Sequence, residues 1–443
     1  MKLFIRILPI VYLLTSCSDF LDVAPKDAVS DETTINDKAS AQTAVRGIYR
    51  QLGDDDYYGA LFQTIGYLSG DNIQWTGSQS VIQQFISHAV KGDNANVATV
   101  WSGIYATINR ANQVIDKLPA VNDATLSADE KNALLGEAYF IRALAYFDLA
   151  RTWGGVQLVV KAATNISDTK GLQRSTLEQT YAQVLKDLQT AEPLLPETTN
   201  RYRATRKTVW ALLARFYLYQ GNWTQAEASA SRLITDSRYR LIKPYSAFFA
   251  NNVVATEESI LEIAYSANNT NAHRGYWQPP ANNGTRQWAP NDAFIALINN
   301  PLIGGNRSSA VAITNQGLWY GNFYYRSPAT DPAYILRIAE QYLIRAEARA
   351  HQGNLEGALQ DLDAVRDRAG LTGSTAVSAN EILLAIEHER RLEFAFEPHR
   401  WYDLVRTKRA AAVLGLTDEK RYVMPIPAIE LSADDALEPN PGY

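Results

Sequence analysis

Cysteine is nearly absent. The 443-residue chain has one, Cys17, so it can form neither an intramolecular disulfide nor a thiolate metal cluster. Histidine is scarce, with five, and His88, His273, His351 and His399 lack a ligand partner nearby in sequence. His388-Glu389-Arg390-Arg391-Leu392 begins like a zinc-protease motif, but Leu392 stands where the second histidine is needed. Asp54-Asp55-Asp56 opens like a calcium loop, but Tyr58 and Ile65 occupy positions that need ligand oxygens. Neither a glycine-rich phosphate loop nor a nucleophile elbow is present. An excess of basic charge is lacking as well: 42 Lys and Arg face 47 Asp and Glu, a formal net charge of −5, which argues against a nucleic-acid partner. Beyond the first sixteen residues no apolar run is long enough to span a bilayer as a helix. The expectation is a protein without cofactor or metal.

The sequence is rich in a leader pattern, in helical periodicity and in aromatics. Lys2 and Arg6 precede the short apolar stretch Ile7 to Leu14, and Leu14-Thr15-Ser16-Cys17 has the form of a lipobox. Residues 1–16 therefore read as a lipoprotein signal peptide, Cys17 as the lipidation site, and residues 17–38 as a polar tether.

From residue 39 the apolar spacing is mostly helical. One helix is expected from about Ser40 to Leu52 and another from Trp101 to Leu118, with a loop-dominated excursion over 53–98. Capping boxes are expected at Ser127/Glu130, Ser175/Glu178, Thr224/Glu227 and Ser378/Glu381. Trp210, Leu213, Ala214, Tyr217 and Ala226 fall on tetratricopeptide spacing around the turn Gln220-Gly221-Asn222. A second copy runs through Tyr342, Ala346, Gln352-Gly353-Asn354, Ala358 and Leu362. The fold class is thus mostly α, a tetratricopeptide-like array of about four helix pairs over about 40–238 and 333–410. A loop-rich, aromatic-rich insertion over about 239–332 interrupts the array, and a packing segment over 411–443 closes it, all within one domain from 39 to 443.

Passages along almost the whole chain carry a resemblance. They include the lipobox with Ser18-Asp19-Phe20-Leu21-Asp22, Ile108-Asn109-Arg110-Ala111-Asn112, and Gly136 to Ala143 continuing to Trp153-Gly154-Gly155-Val156. They continue through Arg337 to Ala348, Glu389 to Phe394, His399 to Arg406, Pro425-Ile426-Pro427 and Asn440-Pro441-Gly442-Tyr443. In these the chain resembles the SusD/RagB-type nutrient-binding lipoproteins of Bacteroidota, on the short side for that family. The resemblance implies a tetratricopeptide-like scaffold, a lipid anchor on the outer face of the outer membrane, and a SusC-like TonB-dependent transporter as partner. It also implies glycan capture, or peptide capture in some members, without catalysis. A helical-repeat scaffold for other proteins is a further alternative.

An indole or phenol ring covers the apolar face of a sugar while Asn, Asp, Gln or Arg reads its hydroxyls. Four places supply both: Asp71-Asn72-Ile73-Gln74-Trp75; Trp277-Gln278; Asn282-Asn283 with Arg286 and Trp288; and Trp319-Tyr320 with Asn322. For each ring alone a packing role is at least as good an assignment. For the set, at least two of Trp75, Trp277, Trp288 and Trp319 are expected to face ligand. Arg390, Arg391, Glu393, Arg400 and Asp403 are expected to form a structural ion-pair network. Arginine beside each carboxylate of that network lowers its pKa, the wrong direction for a general acid, and Glu137, Arg142, Glu340, Arg345 and Glu347 fall at helical spacing and are expected to be salt bridges within the array or helix faces.

Overall fold

The computed structural model describes residues 35–443. Cys17, the leader and most of the tether lie outside the described residues. Helix Lys38–Leu52 packs on Ala95–Lys117, Ala128–Trp153 on Leu177–Leu194, Arg206–Tyr219 on Trp223–Ile234, and Ile338–His351 on Leu355–Arg368. These are the expected four pairs. Helix Ala379–Glu393 packs against the last of them.

The two clear repeats share their turn chemistry. Gly221 and Gly353 adopt φ of 65° and 81°, a left-handed region that favours glycine. Asn222 and Asn354 then cap the following helices, their side chains accepting from the backbone N–H of Gln225 and Gly357. Ala214, Ala226, Ala346 and Ala358 are fully buried in the clusters between helices.

Local boundaries differ from expectation in places. The boxes at Ser127 and Ser378 form as expected. The box expected at Ser175 sits one residue later, at Thr176 with Gln179, and Thr224 lies inside a helix that Asn222 caps. Neighbouring hydroxyl and amide side chains compete for the same exposed N–H groups, and the chain entry angle chooses among them. The second helix begins at Ala95, capped by Asn94, rather than at Trp101. The 53–98 stretch is more ordered than a loop excursion, holding helices Leu61–Leu68 and Ser80–Ile86 and strand Ile73–Trp75. Leu61–Leu68 is buried from Phe62 onward and is only eight residues long with no side-chain cap, so its start and stop carry little signal in sequence.

The insertion is also compact. Strand Ser259–Ile263 pairs antiparallel with Ala333–Arg337, Ile73–Trp75 with Trp288–Pro290, and Val311–Ile313 with Trp319–Gly321. Tyr245, Phe248, Phe249, Phe323 and Tyr324 fill its interior, continuous with the core of the array. The C-terminal segment docks on the long helix Ala128–Trp153: Trp153 Nε1 donates to Pro425 O at 2.9 Å, and Asn440 Nδ2 donates to Trp153 O at 2.9 Å.

Buried ion pairs clamp these layers, mostly between elements rather than along one helix. Arg142 pairs with Asp187 at 2.8 Å and Arg215 with Glu340 at 2.6 Å, both enclosed, while the half-buried Arg203 covers the buried Glu137 at 2.7 Å. Arg345 pairs with Asp361 at 2.7 Å and Arg406 with Glu347 at 2.6 Å. Removing one partner of such a pair leaves an uncompensated charge, which costs about 3–5 kcal/mol.

Candidate functional site

The candidate surface is assembled from segments far apart in sequence. In the ribbon Ile73–Trp75/Trp288–Pro290, Trp75 stands opposite Trp288. The ribbon extends outward, where Thr76 N–H donates to Gln287 O at 2.9 Å and Thr76 Oγ1 donates to Arg286 O at 2.6 Å. Arg286, at φ 51°, turns its Nε to Trp319 O at 2.8 Å and so joins this ribbon to Val311–Ile313/Trp319–Gly321. Gln278 Nε2 bridges Gly321 O and Tyr324 O at 3.0 and 3.1 Å. A Cβ at Gly321 would lie 2.5 Å from the Trp277 ring, so glycine lets the second ribbon rest directly on that indole.

The residues expected from sequence therefore converge, but in two layers. Trp277 and Trp288 are 0 % and 1 % exposed. Their rings meet edge-on at 5.6 Å, and both meet Tyr67 of helix Leu61–Leu68 edge-on, at 5.3 and 5.4 Å. Neither presents a face to a ligand, and this corrects their expected role. The rings do have a helix core to fill, because Leu61–Leu68 lies beneath them. Trp75 is buried too, at 9 % exposure.

Asp71 and Asn72 are also committed elsewhere. Arg400 Nε reaches Asp71 Oδ1 at 2.6 Å and Arg391 Nη2 reaches its Oδ2 at 3.1 Å. Burial alone would push the Asp71 carboxyl up, but these two guanidiniums hold it below the usual carboxylate range. Asn72 accepts from Arg391 Nε at 2.7 Å and donates to Arg391 O at 3.1 Å. Both side chains fasten the strand to helix Ala379–Glu393 and its successor rather than facing a ligand; within the network expected from the sequence Arg390 and Asp403 pair with each other, whereas Arg391 and Arg400 pair with Asp71 and Glu393 pairs with Arg307, Arg337 and Arg368.

The upper layer is open. Trp319, Tyr320, Arg286, Tyr276 and Gln287 are half-buried and Asn283 is exposed. Tyr276 was not among the residues singled out from sequence. Its ring stacks on Trp288 at 4.4 Å with 23° between planes, which fixes its orientation. The signal for it was slight: in helix His273–Trp277 adjacent residues point about 100° apart, so burying Trp277 turns Tyr276 outward. Beside it an open cavity of about 520 Å³ is lined by Asn271, Arg274, Tyr276, Asn283, Thr285 and Gln287. His273 lies beneath, its Nε2 2.9 Å from Tyr58 O, and burial lowers its pKa to about 4, so the base of the site is uncharged at neutral pH. The arrangement suits a ligand with apolar faces and a polar rim: rings to cover the faces, amides, a hydroxyl and guanidiniums to meet the rim. Among the described residues no group of His, Cys, Asp and Glu is placed to hold a metal ion.

Comparison with known proteins places the whole chain. Residues 19–218 match a family profile described as starch-binding, associating with the outer membrane, and residues 318–416 match that of the SusD family. SusD-like protein P2 of Formosa agariphila is 26% identical, the match covering 98% of this chain and 98% of the relative. Among solved structures, a laminarin-binding SusD-like protein superposes with a TM-score of 0.82 at 24% identity, covering 92% of this chain and 100% of the other. Surface glycan-binding protein A of Bacteroides uniformis gives 0.80 at 21% identity, covering 91% of this chain and 99% of the other. The structural likenesses concern the fold, and the family profiles and relatives agree with it: the chain belongs to the SusD/RagB-like family.

Proposed function

We propose that this chain is a non-catalytic cell-surface lipoprotein that captures glycans on the surface formed by Tyr276, Trp319, Tyr320, Arg286, Asn283 and Gln287. The captured oligosaccharide passes to a SusC-like TonB-dependent transporter in the outer membrane. One observation carries the assignment: the half-buried Tyr276 ring is stacked on the buried Trp288 indole and lines an open cavity with amide side chains, while Gly321 of the strand that carries Trp319 and Tyr320 rests on Trp277. The stack holds the Tyr276 ring in place before ligand arrives, so little ordering entropy is lost there on binding. The laminarin-binding and surface glycan-binding fold neighbours support a saccharide as the ligand. Lipidation at Cys17, with the protein facing outward, keeps it at high effective concentration beside its transporter, so modest intrinsic affinity suffices.

The test is a glycan screen on the full chain beside a Tyr276→Ala/Trp319→Ala/Tyr320→Ala variant. Glycan binding that disappears in the variant supports the assignment. Binding that the variant retains, or binding of oligopeptides and no glycan, refutes it. Cys17→Ala is expected to release the protein from the membrane fraction; continued membrane association would refute the anchor.

A further inference from the structure

A small cavity of about 100 Å³ shares no residue with the aromatic surface. It lies where the residues before strand Ile73–Trp75 meet helix Ala379–Glu393, helix Arg400–Arg406 and the segment entering helix Ala410–Leu414. It is too small for a whole ligand of ordinary size and suits a single group.

Its wall is a chain of alternating charges. Arg391 Nη2 reaches Asp71 at 3.1 Å, and Asp71 takes Arg400 at 2.6 Å. Arg400 Nη1 reaches Glu387 at 3.3 Å, and Glu387 takes Arg409 at 2.8 Å. The chain begins and ends on arginine, so three guanidiniums face two carboxylates and one positive charge is left over. The adjoining pairs do not cancel it, because Arg390 is matched by Asp403 and Arg406 by Glu347.

The two ends of this chain hold the spare donors. Arg391 spends Nε on Asn72 Oδ1 and Nη2 on Asp71, and its Nη1 meets no acceptor among the described residues. Arg409 spends Nε on Glu387, and neither of its Nη atoms meets an acceptor among the described residues. None of these three nitrogens is enclosed, so all keep contact with solvent. The exposed His388 imidazole also lines the cavity. Burial lowers the pKa of Arg391; Asp71 opposes this and Arg400 adds to it, so an anion in the cavity stabilises a charge that its surroundings under-compensate.

We propose that this cavity binds the sulfate group of a sulfated saccharide. A sulfate ester carries one negative charge, which closes the chain of charges into a neutral ring, whereas a phosphate monoester brings nearly two. Its three terminal oxygens point in different directions and suit donors on separate residues, Arg391, Arg409 and His388; a planar carboxylate presents its two oxygens side by side, which suits a single guanidinium fork. An adjoining cavity of about 710 Å³ shares Glu387 and Arg409 with this one and holds the body of the ligand. Tyr219 and Trp223 line it, and Trp223 is fixed by lying flat on His351, ring centroids 3.9 Å apart. The saccharide body rests on the glycan assignment above; the anion pocket does not.

The experiment titrates the full chain by calorimetry, at constant ionic strength, with glucose 6-sulfate, glucose, methyl sulfate and sodium sulfate, for the wild type and Arg409→Gln. Arg409 is half-buried and Glu387 keeps Arg400 as a partner, so the variant is expected to fold, and its thermal melt confirms this. Glucose 6-sulfate is expected to bind saturably, more tightly than the other three, and about tenfold more weakly to Arg409→Gln. Glucose 6-sulfate binding no better than glucose, or equally well to the folded variant, overturns the proposal. Methyl sulfate matching glucose 6-sulfate overturns the saccharide body alone, and inorganic sulfate matching it overturns the ester.

Discussion

Glu393→Gln interrogates the charge centre on which the insertion and the repeat array meet. Glu393 is fully enclosed, with Arg307 Nε and Arg337 Nη1 each 2.9 Å from its carboxylate and Arg368 Nη2 in contact as well. Glu258, equally buried, takes Arg337 and Arg368 at 3.0 and 2.9 Å. Burial alone would push the Glu393 carboxyl up; Arg368, Arg307 and Arg337 override it and hold it at about 2, against 4.5 for the free side chain. A displacement of that size corresponds to about 3 kcal/mol of folded-state stabilisation of the ionised form. Because the folded-state pKa is depressed, this contribution is present above about pH 4.5 and is lost as pH falls toward about 2. The glutamine variant leaves one guanidinium charge uncompensated in the core, costing about 3–5 kcal/mol at pH 7. With roughly 2 cal/mol/K of unfolding entropy per residue over the described chain, that lowers the melting temperature by about 5 °C. Thermal and urea unfolding at pH 7, 4.5 and 3 is the assay. The gap between wild type and variant is expected to be widest at pH 7 and to narrow on acidification. A shift under about 1 °C at pH 7, or a gap that stays constant down to pH 3, would refute the reasoning.

Four further expectations separate packing from binding. Trp277→Ala removes a side chain 0 % exposed and is expected to destabilise by about 3–5 kcal/mol in urea unfolding. Trp319→Ala, half-buried at the surface, is expected to leave the melt nearly unchanged and weaken glycan binding about three- to tenfold. Gly66→Ala places a Cβ 2.7 Å from Pro398 Cα, and the clash between helix Leu61–Leu68 and that backbone is expected to cost about 1–3 kcal/mol by the same unfolding measurement. Ser127→Ala breaks the capping box of helix Ala128–Trp153, with about 1 kcal/mol expected from chemical denaturation.

The features legible in sequence are those set by neighbours three or four residues apart. Helical period, the Gly-Asn turns at 221–222 and 353–354, and the boxes at Ser127 and Ser378 are all local interactions. They were enough to define a mostly helical repeat array with an aromatic insertion, and the motifs spread along it were enough to place the family. The partners of the charged residues were not legible. Arg337 reaches Glu258 and Glu393 across 79 and 56 residues, and any of many carboxylates would fit a sequence pattern. Helix Leu61–Leu68 escaped because it is only eight residues long and no side chain caps its start.

The fate of the aromatic residues was decided last. Composition and loop context brought Trp75, Trp277, Trp288 and Trp319 to attention, but exposure depends on what lies beneath each ring. Trp288 faces inward because its strand pairs with one more than 200 residues earlier, over Tyr67, and Tyr276 faces outward because it stacks on that buried indole. The sequence by itself determined that the insertion would concentrate aromatic and amide side chains on a helical scaffold. Only the tertiary structure divided them into a core and a surface, because burial is a property of long-range packing that no local spacing records.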